Sequence, residues 1–153
     1  KCVFVGGPWG NTAGYFEAVK RYASQKVGDN AIFLGTRSDV AELYPQFDLA
    51  VHPSHSENVG GAVESMYAKV PTLTTNVGGF VDLVTDNETG YLAQAKNPQS
   101  LAEKIIRAIE QPDERAKLVT NGYQKVRQVM NVEDNARQVY DFYHQVLKVS
   151  GAD

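Results

Sequence analysis

DLAVHPSHSENVGGAVESMYAKVPTLTT (residues 48–75) is the stretch that decides the fold. DLAVHPS (48–54) reads as a β-strand and PTLTT (71–75) as another. Between them, GGAVESMYAKV has helical character, with Val63, Met66 and Val70 on one face. Pro71 is expected to stop this helix, because a proline ring disfavours helical backbone in the residue before it. Strand, helix and strand in that order make a parallel βαβ unit.

The same alternation extends in both directions. CVFVG (2–6) is a β-rich run closed by Gly6 and Gly7. In TAGYFEAVKRYASQKV, Phe16, Val19, Ala23 and Val27 recur at helical spacing. AIFLG (31–35) is the second strand, and SDVAELYPQ the next helix, with Ser38 as N-cap and Pro45 as stop. GFVDLV (79–84) reads as a short helix, and GYLA (90–93) as a fifth strand after the turn signal DNETG. From about Asn97 the pattern is helical only. Leu101, Ile105 and Ile109 share a face of the first of these helices. Asn121-Gly122 is a candidate break in the second, and Ala136, Val139, Tyr140, Tyr143 and Leu147 line the third, near 132–148. CVFV and AIFL are apolar throughout, which suits a sheet covered on both faces. The expectation is an α/β fold, a Rossmann-like doubly wound parallel sheet with C-terminal helices. It forms one domain over 1–153, with an α/β core at 1–95 and a helical tail at 96–150.

Composition narrows the function. With 153 residues, 42% apolar and 22% charged, the chain is an ordinary globular one. A net charge of -3 argues against nucleic acid as a partner. No apolar run approaches the roughly 20 residues that span a bilayer. The one cysteine, Cys2, fits a reducing compartment, hence the cytoplasm. KCVFVGG opens inside a strand with no leader, so the chain is expected to be a piece of a longer polypeptide.

In an open parallel sheet, ligands bind beyond the carboxyl ends of the strands. The loops there are GGPWGN (6–11), GTRSD (35–39), PSHSENVGG (53–61) and TNVGG (75–79). Three of these four contain a glycine pair, either as tight turns or as places where a ligand approaches backbone. PSHSENVGG leads into a helix, whose N-terminus favours anions such as phosphate. Carboxylates beside it would repel phosphate, yet Glu57 and Glu64 flank it. They suit neutral hydroxyls instead, since a carboxylate can grip a vicinal diol of ribose or a hexose. A ligand with sugars on either side of a phosphate group is a nucleotide sugar. The plainer readings also stand here: Glu57 complementing the helix dipole, and Glu64 on a solvated face.

At this point the sequence resembles a known family. AVHPSHSENVGGAVESMYAKVPTLTTNVGGFVDLVTDNETGYLA is similar to the signature region of the C-terminal domain of GT-B glycosyltransferases, family four (the glycosyl transferases group 1 type). The likeness extends from CVFVGGPWG to the final helices. It implies a retaining hexosyl-type transfer from a nucleotide-diphosphate sugar of UDP or GDP type, with no cofactor. Glu57, implied as the catalytic residue, would lie by the donor sugar, with Ser54 and His55 on the same loop. Backbone N–H groups of Asn58, Val59 and Gly60 would face sugar and diphosphate, and Glu64 would accept from the ribose. Thr36 and Arg37 would border the base, on the same rim as Gly6 and Gly7.

Two departures from the family pattern stand out. Six residues separate Glu57 and Glu64 where the family most often has seven, and the loop is the expected place of the deletion. Family members also begin this domain with another βα unit, carrying a basic Arg/Lys pair that neutralises the diphosphate. No such unit precedes Lys1, nor does the N-terminal acceptor domain. The chain alone is therefore expected to be nearly inactive. The missing strand would be central in a 3-2-1-4-5-6 order, which leaves open a sheet with a gap, exchange of elements, or dimerisation. Peripheral association of the full enzyme with the inner face of the membrane also stays open.

His52, His55 and His144, the three histidines, lack metal-ligand spacing, and no Asp-x-Asp occurs, so no metal is expected. Trp9 is read equally as a ligand cover or a packing residue, and Arg37 equally as a base-stacking or a solvated side chain. The basic and aromatic residues of 123–148 are expected to pack the last helices onto the sheet or onto the absent domain. Two rival functions remain: a nucleotide-sugar epimerase of GT-B shape, and a non-catalytic Rossmann-like nucleotide-binding module.

Overall fold

A computed structural model describes residues 1–56 and 59–150. The chain folds as two compact units, Lys1–Leu43 and Tyr44–Asp153.

The first unit holds strand β1 (Cys2–Val5), helix α1 (Ala13–Val27), a 3-10 turn at Gly28–Asn30, strand β2 (Ala31–Gly35) and the single turn α2 (Val40–Leu43). The two strands pair in parallel, with Cys2 opposite Ala31 and Phe4 opposite Phe33. Aromatic packing fixes this unit. Phe4 and Phe33 stack at 4.4 Å, and Phe16 of α1 meets the Phe33 ring edge-on at 6.0 Å. Phe16, Val19 and Ala23 are half-buried, whereas Val27 is 49% exposed. Neither strand is fully covered, contrary to the expectation from CVFV and AIFL. Ser38 is not the cap of α2. The Asp39 carbonyl accepts its first hydrogen bonds, and Pro45 falls in the 3-10 turn that follows.

The second unit begins with that 3-10 turn, Tyr44–Gln46. It continues through β3 (Ala50–His52), α3 (Gly60–Tyr67), β4 (Thr72–Thr75), α4 (Phe80–Leu83), β5 (Tyr91–Ala93), α5 (Pro98–Glu110), α6 (Pro112–Val129) and α7 (Val132–Ser150). β4 lies between β3 and β5, parallel to both, and all four of its residues are buried. Successive strand side chains point to opposite faces. Thr72 meets Ser65 of α3, and Leu73 packs in a cluster with Ala108 of α5. α3 and α5 therefore cover opposite faces. On one side Ala62, Met66, Phe80, Leu83, Val84 and Val126 form the core; on the other, Leu73, Tyr91, Ala93, Ala108 and Leu118 do. α6 contributes to both through Val126 and Leu118.

Helices of this unit also differ from their sequence reading. α3 ends at Tyr67, before Pro71, because Lys69 takes a left-handed backbone (φ +57°). Its N–H reaches the Met66 carbonyl at 3.1 Å and that of Val70 reaches Ser65 at 3.0 Å, a Schellman closure with lysine where glycine is usual. The inward face of α5 runs Leu101, Ile105, Ala108, and Ile109 is exposed. Val139, Tyr140, Tyr143 and Leu147 of α7 are exposed, so that face is not packed onto this sheet.

α6 runs unbroken through Asn121-Gly122. Glycine is there for space. A Cβ on Gly122 would stand 2.5 Å from the Thr89 carbonyl oxygen and 3.2 Å from Met66 Cε. The Asn121 amide donates to the Glu88 carbonyl beside it, so this turn of α6 lies directly on the loop before β5. Gly122→Ala is expected to lower stability by about 1–3 kcal/mol through overpacking, although alanine is the better helix former by about 1 kcal/mol. Urea denaturation checks this, and a more stable variant would contradict the close approach.

Candidate functional site

The site is built around the entrance of α3. The helix opens at Gly60, with Val59 as its N-cap residue in left-handed backbone (φ 69°, ψ −11°). A β-branched residue in that region is strained by about 1–3 kcal/mol, a cost carried by the surrounding packing. No side chain among the described residues caps this end. Helix geometry directs the N–H groups of the first turn out of the entrance, with the positive end of the dipole.

Gly61 lets β3 approach that first turn. A Cβ there would lie 3.0 Å from Cε1 and 3.1 Å from Nδ1 of His52, at the end of β3. The same ring lies against Phe80, with centroids 6.2 Å apart. On its other side, His52 Nε2 is 3.2 Å from the buried Ser65 hydroxyl. That hydroxyl lies 3.0 Å from the Ala62 carbonyl and 2.9 Å from the Thr72 hydroxyl, which in turn lies 3.0 Å from the Val70 carbonyl. Each hydroxyl has one proton to give. If Nε2 donates, three of these four contacts become hydrogen bonds; if it accepts, only two do. In either tautomer the His52–Ser65–Thr72 contacts tie β3, α3 and β4 together.

Glu64 lies one turn further along α3 and is exposed. Tyr44, only 8% exposed, brings its hydroxyl to 3.4 Å from Glu64 Oε2 and 3.2 Å from the Gly61 carbonyl. Burial, and then the Glu64 carboxylate, push the Tyr44 phenol up to about 12. The loop before α3 is held by the Thr75 hydroxyl, which donates to the Ser54 carbonyl, and His55 on it is exposed. Glu57 and Asn58 lie outside the described residues.

The other predicted site residues stand in the first unit, at the carboxyl ends of β1 and β2. The Gly6 N–H donates to the Gly35 carbonyl at 2.8 Å, and a Cβ on Gly7 would lie 2.6 Å from the Thr36 hydroxyl. Arg37 is exposed and is engaged by Asp39 through both ends of its fork, Nε to Oδ1 at 2.7 Å and Nη2 to Oδ2. Trp9 is 89% exposed, which removes its packing role. Among the described residues no three His, Cys, Asp or Glu side chains converge as metal ligands, and no helix is long and apolar enough to cross a membrane. An apolar depression lined by Phe142, Val146 and Val149 lies on α7, not at α3.

The sequence pattern of the family described as Glycosyl transferases group 1 matches residues 1–125. The chain belongs to that family. Among curated relatives, the capsular polysaccharide biosynthesis glycosyltransferase CapM of Staphylococcus aureus is 29% identical over 122 residues, covering 79% of this chain and 32% of its own length. Sucrose-phosphate synthase of Thermosynechococcus elongatus superposes with a TM-score of 0.83 at 27% identity, over 96% of this chain and 38% of that one. Anabaena Alr3699/HepE, solved in complex with UDP, superposes with a TM-score of 0.81 at 25% identity, over 91% of this chain and 40% of that one. The chain thus spans about a third of the length of its curated relatives. These likenesses place it among proteins of the GT-B fold and bear out the Rossmann-like reading.

Sequence reasoning missed Tyr44 and gave His52 no structural part. The sequence offered only their positions, a tyrosine four residues before DLAVH and a histidine at its end, and no pattern that marks a tertiary contact. The raised Tyr44 phenol has a consequence for stability. Its neutral form is the one folding favours, so its contribution is complete below its ordinary ionisation near 10 and is lost as pH rises towards 12. The stability difference between the unmodified protein and Tyr44→Phe is expected to be flat up to about pH 10 and then to shift towards the variant. Denaturant titrations across pH 8–12 measure it, and a constant difference would contradict the assignment.

Proposed function

We propose that this chain is the donor-binding half of a retaining glycosyltransferase and binds a nucleoside diphosphate sugar of UDP or GDP type. The diphosphate sits at the entrance of α3, where the N–H groups of Val59 and Gly60 and the helix dipole meet its charge. Glu64, exposed one turn further in, accepts from the ribose hydroxyls. By the resemblance, Glu57 is assigned to the transferred sugar and the Asn58 N–H to sugar and diphosphate, with Ser54 and His55 on the same loop. The roles read from the resemblance for Gly6, Gly7, Thr36 and Arg37 belong to the same proposal. The acceptor is held by another part of a longer enzyme, which works in the cytoplasm.

The observation that carries this reading is the arrangement on α3: a helix N-terminus, whose dipole favours an anion, and an exposed carboxylate one turn away for alcohols. Support also comes from the names of relatives, several of them glycosyltransferases, and from Alr3699/HepE, solved with UDP and with UDP-glucose. In such a reaction, negative charge grows on the leaving diphosphate. Preorganised N–H groups stabilise that charge more strongly as it develops.

Calorimetric titration with UDP, GDP and ADP tests the reading. One diphosphate is expected to bind, and Glu64→Ala to weaken it by about 10- to 100-fold, the worth of a charged hydrogen bond. Unchanged affinity in the variant would remove the ribose role of Glu64.

A further inference from the structure

The Tyr44 hydroxyl has one proton and two acceptors, the Gly61 carbonyl and Glu64 Oε2. These acceptors sit three residues apart on α3, hence on one face. The ring that carries the hydroxyl cannot easily turn away. It is buried, the edge of Phe47 meets it at 6.4 Å and 85°, and the Phe47 N–H closes the turn on the Tyr44 carbonyl at 3.0 Å. A buried phenol thus reaches, across twenty residues of sequence, the end of an exposed glutamate.

We propose that Tyr44 is a positioning residue of the donor site, which holds the Glu64 carboxylate in the orientation that grips both hydroxyls of ribose and so sets discrimination against deoxyribose. The inference rests on the donor-binding reading above. An ionised carboxylate offers about four acceptor positions. With its proton turned from the Gly61 carbonyl to Oε2, Tyr44 occupies one, and Oε1 with the rest of Oε2 stays open to a vicinal pair. Without the phenol, an exposed glutamate samples several rotamers, and a bound ribose must order it at a cost to affinity. A nucleotide lacking the 2′-hydroxyl uses only part of the grip, so it gains less from a preset carboxylate.

The test is a set of dissociation constants for UDP or GDP, whichever binds, and for its 2′-deoxy counterpart. They are measured in the unmodified protein, Tyr44→Phe, Glu64→Ala and the double variant. Tyr44→Phe is expected to weaken the ribonucleotide about three- to tenfold, to weaken the deoxynucleotide much less, and to add nothing in the Glu64→Ala background. Equal loss for both nucleotides, or the same loss without Glu64, would mean a merely structural role and overturn the proposal. Glu64→Ala weakening binding while Tyr44→Phe is silent also overturns it, yet leaves the donor site standing. A silent Glu64→Ala removes the ribose role and this inference with it. If Tyr44→Phe does not fold, tyrosine labelled at Cζ gives the answer in the intact hydroxyl. Its Tyr44 resonance is expected to move on adding the ribonucleotide, and less with Glu64→Ala; a resonance that stays still in the unmodified protein overturns the proposal.

Discussion

A buried hydroxyl at Ser65 holds the second unit's working end in register. It has no exposed surface, yet it meets His52 from β3, Thr72 from β4 and the Ala62 carbonyl of its own helix. A polar group in such a place is tolerated because its partners replace water, and leaving those partners unpaired costs about 1–3 kcal/mol each. Hydrophobic contacts around Met66 and Phe80 press α3 against the strands, but they permit sliding. The hydrogen bonds do not. They fix how far α3 protrudes past the end of β3, and with it the direction of the first-turn N–H groups.

Two local features follow from that registration. His52 comes so near the first turn that a Cβ at position 61 would press on its ring at 3.0 Å. Val59 is left to turn the chain into the helix in a left-handed conformation that valine resists. Strain of this sort persists only where neighbouring structure over-determines it. Here the neighbours are visible: Val59 Cγ1 lies 2.7 Å from where a Cβ on Gly79 would stand, and the Val59 carbonyl accepts from the Val63 N–H at 2.9 Å. Tyr44 completes the set from the opposite direction, reaching the Gly61 carbonyl and the glutamate beyond it.

Much of the fold was legible in the sequence because strands announce themselves by composition. CVFV, AIFL, TLTT and YLA all form strands where the pattern of apolar runs between turns predicts them. Periodicity was a weaker guide to what a helix face meets. The stripe on α7 is real in sequence, but amphipathicity states only that a face can be buried, not that it is. Gly122 reads as a break because glycine weakens isolated helices, whereas its neighbours Thr89 and Met66 need the space it leaves. Lys69 gives no signal at all, since lysine has no preference for the backbone it adopts. At the candidate site, charge beside a helix entrance was readable, which is how Glu64 became a candidate. Tyr44 and Ser65 act through tertiary contacts with residues 20 and 13 positions away, and no local pattern encodes them.

The proposed function rests on one physical scheme, in which backbone dipoles at the start of α3 would receive an anion and a neighbouring carboxylate would receive alcohols. Amide resonances test it most directly. In a 15N-labelled protein titrated with UDP or GDP, the Gly60 and Gly61 N–H signals are predicted to shift and to saturate together with binding measured by heat. Saturable binding that leaves both glycine signals unmoved would contradict the scheme, because the anion would then be held somewhere other than the entrance of α3.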